Sequence, residues 1–270
     1  MTQTLQTTLR VAAIEAGRAI MNVYQRNDMH ISIKSDGSPV TLADQEADRI
    51  IAAHLDETYP DILRISEENL TGTMPQKNEP FFLIDPLDGT KEFINRNGDF
   101  TVNIALIRSG IPVAGVVFAP VHRDLYITDD LGNVAFHEKL APNWIDHDAL
   151  PNYRPITCRD VGTALTALTS RSHLDPMTHK YLQQYPIAST TAHGSSLKLC
   201  VLAAGEADIY PRLGPTSAWD TGAGDAVLRA AGGTIVDAHH LKPLHYEGAQ
   251  WRNPWFVAAS KSLNILPFTM

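Results

Sequence analysis

Cysteine is nearly absent. The 270-residue chain has two, Cys158 and Cys200, far apart and in no Cys-x-x-Cys pattern. That excludes a disulfide framework and a zinc ribbon, and fits a reducing compartment. Long apolar runs are missing as well. The longest, Ile111 to Val121, is interrupted by Pro112 and Pro120 and is too short to span a bilayer. The start, Met1-Thr2-Gln3-Thr4-Leu5, shows no basic segment leading into an apolar one, so no secretory signal is expected. The default location is cytoplasmic. Positive charge is in deficit: 22 Lys and Arg against 30 Asp and Glu give a formal charge of −8. This excludes a general nucleic-acid binder with a basic stripe, and it offers no polybasic membrane anchor. Small anionic substrates are not excluded, because bound metal ions reverse the local sign. The eleven histidines form no His-x-x-x-His pair, and His239-His240 read as bland.

What is present is ordinary for a globular chain, at 44% apolar and 19% charged residues. The length suits one large domain or two smaller ones. Leu5, Leu9, Ala12, Ala16, Ile20 and Val23 recur at three- and four-residue spacing and predict a helix ending near Asn27-Asp28. Residues 30–34 alternate like a short strand, and Asp36-Gly37-Ser38-Pro39 is turn chemistry. A second helix is expected over 41–59, closed by Pro60. Strands are expected at 62–66, 81–84, 100–107, 113–118, 124–128 and 133–136, with 69–80 a polar loop. Short turns among the later strands predict an antiparallel sheet. The three prolines of 141–155 mark a boundary, giving halves 1–150 and 151–270. Beyond it, strands at 165–169, 187–191, 207–210 and 234–236 alternate with helices at 176–184, 195–204 and 223–231. That rhythm predicts a mixed or parallel α/β sheet.

One group of acids stands out. Asp85-Pro86-Leu87-Asp88-Gly89-Thr90 follows directly on the apolar run Phe81 to Ile84. Carboxylates at the mouth of a core are costly unless paired or bound to metal. Pro86 stiffens the turn, Gly89 permits an unusual backbone angle, and Gly89 and Thr90 offer N–H groups to an anion. Hard oxygen ligands suit Mg²⁺, which binds through a few carboxylates plus substrate phosphate. Two near misses are set apart. The Asp-x-Asp-Gly-Thr of haloacid-dehalogenase phosphatases is one residue shorter than the spacing here. Asp220-Thr221-Gly222-Ala223-Gly224-Asp225 approaches the sugar-kinase Gly-Ala-Gly-Asp signature, but that pattern has one more residue after the Thr.

Ser66-Glu67-Glu68, Asp85 to Thr90 and Trp219-Asp220 together resemble the inositol-monophosphatase-like family of Mg²⁺-dependent, Li⁺-sensitive phosphatases, nearly end to end. Thr41-Leu42-Ala43-Asp44 is similar to that family's N-terminal Thr-x-x-Asp segment. Finer runs resemble its CysQ type, the 3′(2′),5′-bisphosphate nucleotidases. These are Gly89 to Ile94, Arg96 to Asn103, Ser170-Arg171-Ser172-His173, Gly194-Ser195-Ser196-Leu197-Lys198 and Tyr210-Pro211-Arg212.

The resemblance implies a layered αβαβα sandwich of the inositol monophosphatase/fructose-1,6-bisphosphatase type, with an antiparallel N-terminal sheet and a mixed C-terminal one. It implies two or three Mg²⁺ per site. Glu67, Asp85 and the Leu87 carbonyl would hold the first ion, and Asp85, Asp88 and Asp220 the second. Thr90 and Asp44 would orient the attacking water, and Gly89 and Thr90 N–H groups would hold phosphate. Lys91, Ser195, Lys198 and Arg212 are substrate-side candidates, although a solvated charge or a cap serves each as well. Asp220 also reads as an N-cap, Asp44 as an acid near a helix cap, and Tyr210 as a core aromatic. The implied reaction is hydrolysis of adenosine 3′,5′-bisphosphate to AMP and phosphate, extending to the sulfated nucleotide, in sulfur assimilation. Alternatives are an inositol monophosphatase on the same metal core, a nucleotide sensor without turnover, and a sugar kinase. Peripheral contact with the cytoplasmic face of the inner membrane is implied for some relatives of this type. No interface is visible, so oligomeric state is not read.

Overall fold

Thr4 opens the first helix, α1 (Leu5–Tyr24), by accepting the Thr7 N–H at 3.2 Å. The computed structural model describes residues 3–26, 32–33, 39–70, 74–145, 150–170, 176–247 and 251–269. The helix end near Asn27-Asp28, the turn at 36–38 and Arg171, Ser172 and His173 lie outside them. Of the strand expected at 30–34, the described part is β1 (Ser32–Ile33), antiparallel to β2 (Pro39–Val40). Thr41 then starts α2 (Leu42–Thr58) with a capping box: its hydroxyl accepts a backbone N–H, and Asp44 reaches back to the Thr41 N–H.

Seven strands form the first sheet in sequence order: β3 (Leu63–Ser66), β4 (Phe81–Asp88), β5 (Thr101–Arg108), β6 (Ile111–Ala119), β7 (Asp124–Thr128), β8 (Ala135–Lys139) and β9 (Arg154–Ile156). To follow chain order, the short helix between β4 and β5 is α3 (Thr90–Ile94). All neighbours are antiparallel except β3 and β4, which run parallel. The second sheet contains β10 (Leu165–Ser170), β11 (Ile187–His193), β12 (Ile209–Arg212), β13 (Thr234–Asp237) and β14 (Phe256–Ala259) in the order β11-β10-β12-β14-β13. It is mixed, with β10 parallel to β11 and β12, and β14 antiparallel to β12 and β13. The helices of this half are α4 (Pro176–Leu182), α5 (Leu197–Ala203) and α6 (Trp219–Ala230).

Side chains alternate across a strand, and here both faces of the first sheet are apolar. Phe82, Ile84, Val102, Ile104, Val116, Phe118 and Leu125 pack against α1 and α2. Phe81, Leu83, Ala105, Ile107 and Val117 face the other way, onto Leu199, Ala223, Val227, Ile235 and Phe256. The far side of the second sheet, through Ala167, Ile209 and Val257, covers Tyr181 and Leu182 of α4. The layers are therefore α1/α2, first sheet, α5/α6, second sheet, α4, the αβαβα order implied by the motifs. Small residues allow the central layer to fit: a Cβ on Gly115 of β6 would lie 2.9 Å from the Ala223 carbonyl oxygen of α6.

Two boundaries differ from expectation by four residues. β4 continues past Ile84 to Asp88, through Pro86. α6 begins at Trp219, four residues before the expected Ala223. Gly222 and Gly224 weaken helix propensity locally, and burial between two sheets overrides it. The short strands β2, β9 and β14 and the single-turn helix α3 were not expected, and Pro39, read as part of a turn, lies in β2.

Candidate active site

The acids come together because β4 is irregular. In a regular strand, residues three apart face opposite sides. Asp85 pairs with Asn103 and Asp88 with Thr101, so β4 carries one residue more than β5 between these points. That bulge turns Asp88 to the face that Asp85 occupies. Pro86 supplies no N–H to the ladder, which suits the interruption. The Leu87 N–H donates to the Asp85 carboxylate at 3.1 Å and stiffens the turn. Parallel pairing reaches one residue beyond β3: the Glu67 N–H donates to the Ile84 carbonyl at 3.1 Å, setting Glu67 beside Asp85. From the second half, the first turn of α6 delivers Asp220. One carboxylate oxygen each from Glu67, Asp85 and Asp220 lies within 4.8 Å of the others.

Such crowding without a cation is unfavourable. Burial, then the charges of Glu67, Asp88, Asp220 and Asp44, push the Asp85 carboxyl well above its usual range. Burial and Asp88 push Asp220 up to about 8. Asp88 is raised chiefly by burial, against donors that include Ser195 and the Ser196 N–H at 2.7 Å. Three converging carboxylate oxygens are the ligand chemistry of a hard divalent cation, so the residues fit a metal site.

Asp44 does more than cap α2. One of its oxygens accepts from the Thr41 N–H and hydroxyl at 2.8 and 2.6 Å. The other accepts from the Thr90 hydroxyl at 3.2 Å. The Thr90 hydroxyl also lies 3.4 Å from the Leu87 carbonyl. Thus Thr41, Asp44, Leu87 and Thr90 form one chain of contacts at the rim of the carboxylates. Gly89 adopts φ +92°, a left-handed angle that lets α3 start directly after β4. Glu68 is half-buried beside the cluster, and its N–H points to the Ser66 hydroxyl at 3.4 Å.

The substrate-side candidates separate. Lys91 is exposed on α3. Lys198 is not a solvated charge but 4% exposed, with Nζ donating to the His193 and Ser195 carbonyls at 3.1 and 2.5 Å. Burial lowers its ammonium to about 8, against the opposing pull of Asp88. Ser195, at φ +50°, contacts the Thr101 hydroxyl. The buried Arg212 Nε has no hydrogen-bond partner, and its Nη2 donates to the Pro215 carbonyl at 3.1 Å. Tyr210 is buried against Phe256, as a core aromatic, and also lines the opening. A cavity of about 130 Å³ connects Asp88, Ser195, Lys198, Tyr210, Arg212 and Asp220.

Two readings are corrected. Asp220 is not the N-cap of α6: Ala218 occupies that position, and Asp220 sits in the first turn, accepting the Ser217 N–H at 2.8 Å. Asp225, the base in a kinase reading, is fully buried in α6 and paired with Arg229 at 2.6 Å. His239 stacks on Trp255 and His240 meets Asp237, as bland residues do. Sequence reasoning missed Ser196 and Asn103, whose side chains bond each other at 2.7 Å under the site. The signal was there: Thr101 and Asn103 are polar at alternate positions of an otherwise apolar strand.

A family model described as the inositol monophosphatase family matches residues 1–263. The chain belongs to the inositol monophosphatase family. Within that family it is 44% identical over 247 residues to the 3′(2′),5′-bisphosphate nucleotidase CysQ of Escherichia coli strain K12, covering 90% of this chain and 95% of that one. The CysQ protein of Salmonella typhimurium is 45% identical over 227 residues, covering 83% and 87%. The crystal structure of CysQ from Bacteroides thetaiotaomicron superposes with a TM-score of 0.80 at 35% identity, covering 96% of this chain and 99% of that one. An inositol monophosphatase from Anabaena, at 24% identity and TM-score 0.71, shares the fold. Enzymes of the inositol monophosphatase family depend on metal ions, in keeping with the acidic cluster. Among the described residues no helix is long and apolar enough to cross a membrane.

Proposed function

We propose that the protein is a Mg²⁺-dependent, Li⁺-sensitive phosphatase that removes the 3′-phosphate of adenosine 3′,5′-bisphosphate, giving AMP and phosphate. The observation that carries this is the convergence of Glu67, Asp85 and Asp220 beside a cavity with a cationic wall. Identity to the 3′(2′),5′-bisphosphate nucleotidases CysQ supports the nucleotide as substrate; its sulfated form is proposed as a second one.

Glu67, Asp85 and the Leu87 carbonyl would hold one ion, and Asp85, Asp88 and Asp220 another. Four carboxylates carry −4, which two divalent ions neutralise. Ions bound there supply charge stabilisation and make a water more acidic. Thr90 donates its proton to Asp44, which leaves its oxygen lone pairs facing the site to accept from a water. Asp44, engaged by Thr41 and Thr90, would orient that water together with Thr90. The oriented water attacks phosphorus in line, the bond from phosphorus to the 3′-oxygen breaks, and the proton that the water gives up is balanced by the one that restores the 3′-hydroxyl. Gly89 and Thr90 N–H groups hold the phosphoryl oxygens. Arg212, with an unpartnered Nε, meets the second phosphate. Lys198 holds the Ser195 loop and adds positive field, Ser195 borders the ribose, and Lys91 stands at the outer rim.

The halves 1–150 and 151–270 each contribute one side of this site. A cytoplasmic location, with membrane contact limited to the periphery, fits the composition. Phosphate release from adenosine 3′,5′-bisphosphate and from inositol 1-phosphate, compared with Mg²⁺ and with added Li⁺, tests the reading. The nucleotide is expected to be preferred and Li⁺ to inhibit. Preference for the inositol ester would retain the metal site and overturn the substrate.

A further inference from the structure

α6 begins without a side-chain cap, because its N-cap residue is Ala218. The turn that carries Asp220 is held from outside instead. The Asn253 side-chain nitrogen lies 2.6 Å from the Ser217 carbonyl, 2.9 Å from the Thr221 hydroxyl and 3.1 Å from the Thr216 hydroxyl. A carbonyl oxygen only accepts, so the group facing Ser217 is the amide NH₂. The backbone of the same segment adds two bonds. Asn253 N–H donates to the Thr216 carbonyl at 3.0 Å, and Ala218 N–H donates to the Trp251 carbonyl at 2.7 Å. Trp251 adopts φ +34° there, an angle bulky residues rarely occupy.

We propose that Asn253 is a positioning residue for Asp220. This rests on the reading of Asp220 as a metal ligand. The chain of contacts is short. The Asn253 amide holds the Ser217 carbonyl, and the N–H of the same residue donates to the Asp220 carboxylate at 2.8 Å. One oxygen of the Asp220 carboxylate is thereby engaged, within the group that converges with Glu67 and Asp85. Outer partners of this kind set the orientation of a ligand and hence the affinity of the site. Without the Asn253 amide, the Ser217 carbonyl and the Thr221 hydroxyl lose a donor, and the rotamer of Asp220 loosens.

The test measures Mn²⁺ binding to the metal-free, full-length protein by titration calorimetry. Asn253→Ala is expected to weaken binding about 10-fold. At saturating metal, its KM for adenosine 3′,5′-bisphosphate stays within about two-fold of the wild type. Asn253→Ser keeps a donor and is expected to fall between the two; it also serves if the alanine variant does not fold. Tyr181→Phe, which loses a 2.6 Å bond to the Leu266 carbonyl in the separate core around α4, controls for general loosening and should bind Mn²⁺ normally. Wild-type affinity in Asn253→Ala, or an equal loss in Tyr181→Phe, would overturn the proposal. Asp220→Asn separates the two readings. If it also binds Mn²⁺ like the wild type, the ligand assignment falls. If it binds weakly while Asn253→Ala binds normally, only the positioning role falls.

Discussion

Buried carboxylates occupy two kinds of region in this fold. Away from the site they are matched. Glu138 on β8 receives both arms of Arg10 from α1, at 2.7 and 2.8 Å. Asp208, before β12, receives Arg159 at 2.8 and 2.5 Å and the Thr166 N–H at 2.7 Å. Burial works to raise the Asp208 carboxyl, but these donors outweigh it and hold it low. At the site, Asp85 and Asp220 face other acids, and both are raised. The same residue type is a fastener in one region and crowded among other acids in the other. What separates these examples is whether a guanidinium meets both carboxylate oxygens.

The sharpest way to break this comparison is Asp85→Asn. Since outer partners of a metal already cost 10- to 100-fold, loss of this carboxylate is expected to lower kcat by more than about 100-fold. Thermal unfolding of the metal-free variant should nevertheless occur at a higher temperature than in the wild type, because a repelling charge is gone. Calorimetric scans with and without Mg²⁺ check both signs. A metal-free Asp85→Asn protein less stable than the wild type would show that the acid wall is not strained.

Asp208→Asn should behave in the opposite way. It leaves Arg159 without its fork and is expected to cost about 2–3 kcal/mol of stability, with little change in kcat/KM, by urea titration and phosphate release. The pH dependence differs in sign too. Asp208 has a lowered value in the folded state, so its contribution is present above the unfolded carboxylate range and is lost as pH falls through the folded value. Asp220 is raised to about 8, so without metal it binds its proton more tightly when folded, and stability declines as pH rises towards that value. Saturating Mg²⁺ should flatten that decline.

The cationic wall gives smaller effects. Arg212→Ala is expected to raise KM for adenosine 3′,5′-bisphosphate about 10-fold, with less change in kcat, if its Nε meets the distal phosphate. Steady-state kinetics on substrates with and without the 5′-phosphate check this, since a substrate lacking that group should not distinguish the two proteins. Lys91→Ala, on an exposed side chain, should change kcat/KM by less than about two-fold. A larger loss would bring Lys91 into the cavity wall.

The acidic region was legible in the sequence and the cationic one largely was not. Asp85 to Thr90 is a continuous run in which strand end, proline, glycine and acid all report locally. Capping by Thr41 with Asp44 was equally local. By contrast, Lys198 looks like any helix lysine until the carbonyls of His193 and Ser195 are folded round it. The bond from Ser196 N–H to Asp88 spans 108 residues and leaves no spacing to read. The early start of α6 was hidden because Gly222 and Gly224 depress helix propensity, while the decisive term is burial between two sheets. Layer order followed from the family motifs, whereas β9, three residues long, was too short to announce itself.

That burial of α6 has a consequence for how the chain comes apart. Residues Thr221 to Leu228 are all buried, so the helix shows no water-facing stripe along that stretch. One apolar cluster runs from Phe81 and Leu83 through Val227 to Phe256 and Ala258, passing from one sheet to the other. Neither half can lose its sheet without stripping the cover from its neighbour. Melting should therefore be a single cooperative transition, seen alike by far-ultraviolet circular dichroism and by tryptophan fluorescence. The proposed metal ligands sit on the first sheet and on α6 of this shared layer, so ion binding would tie the two together.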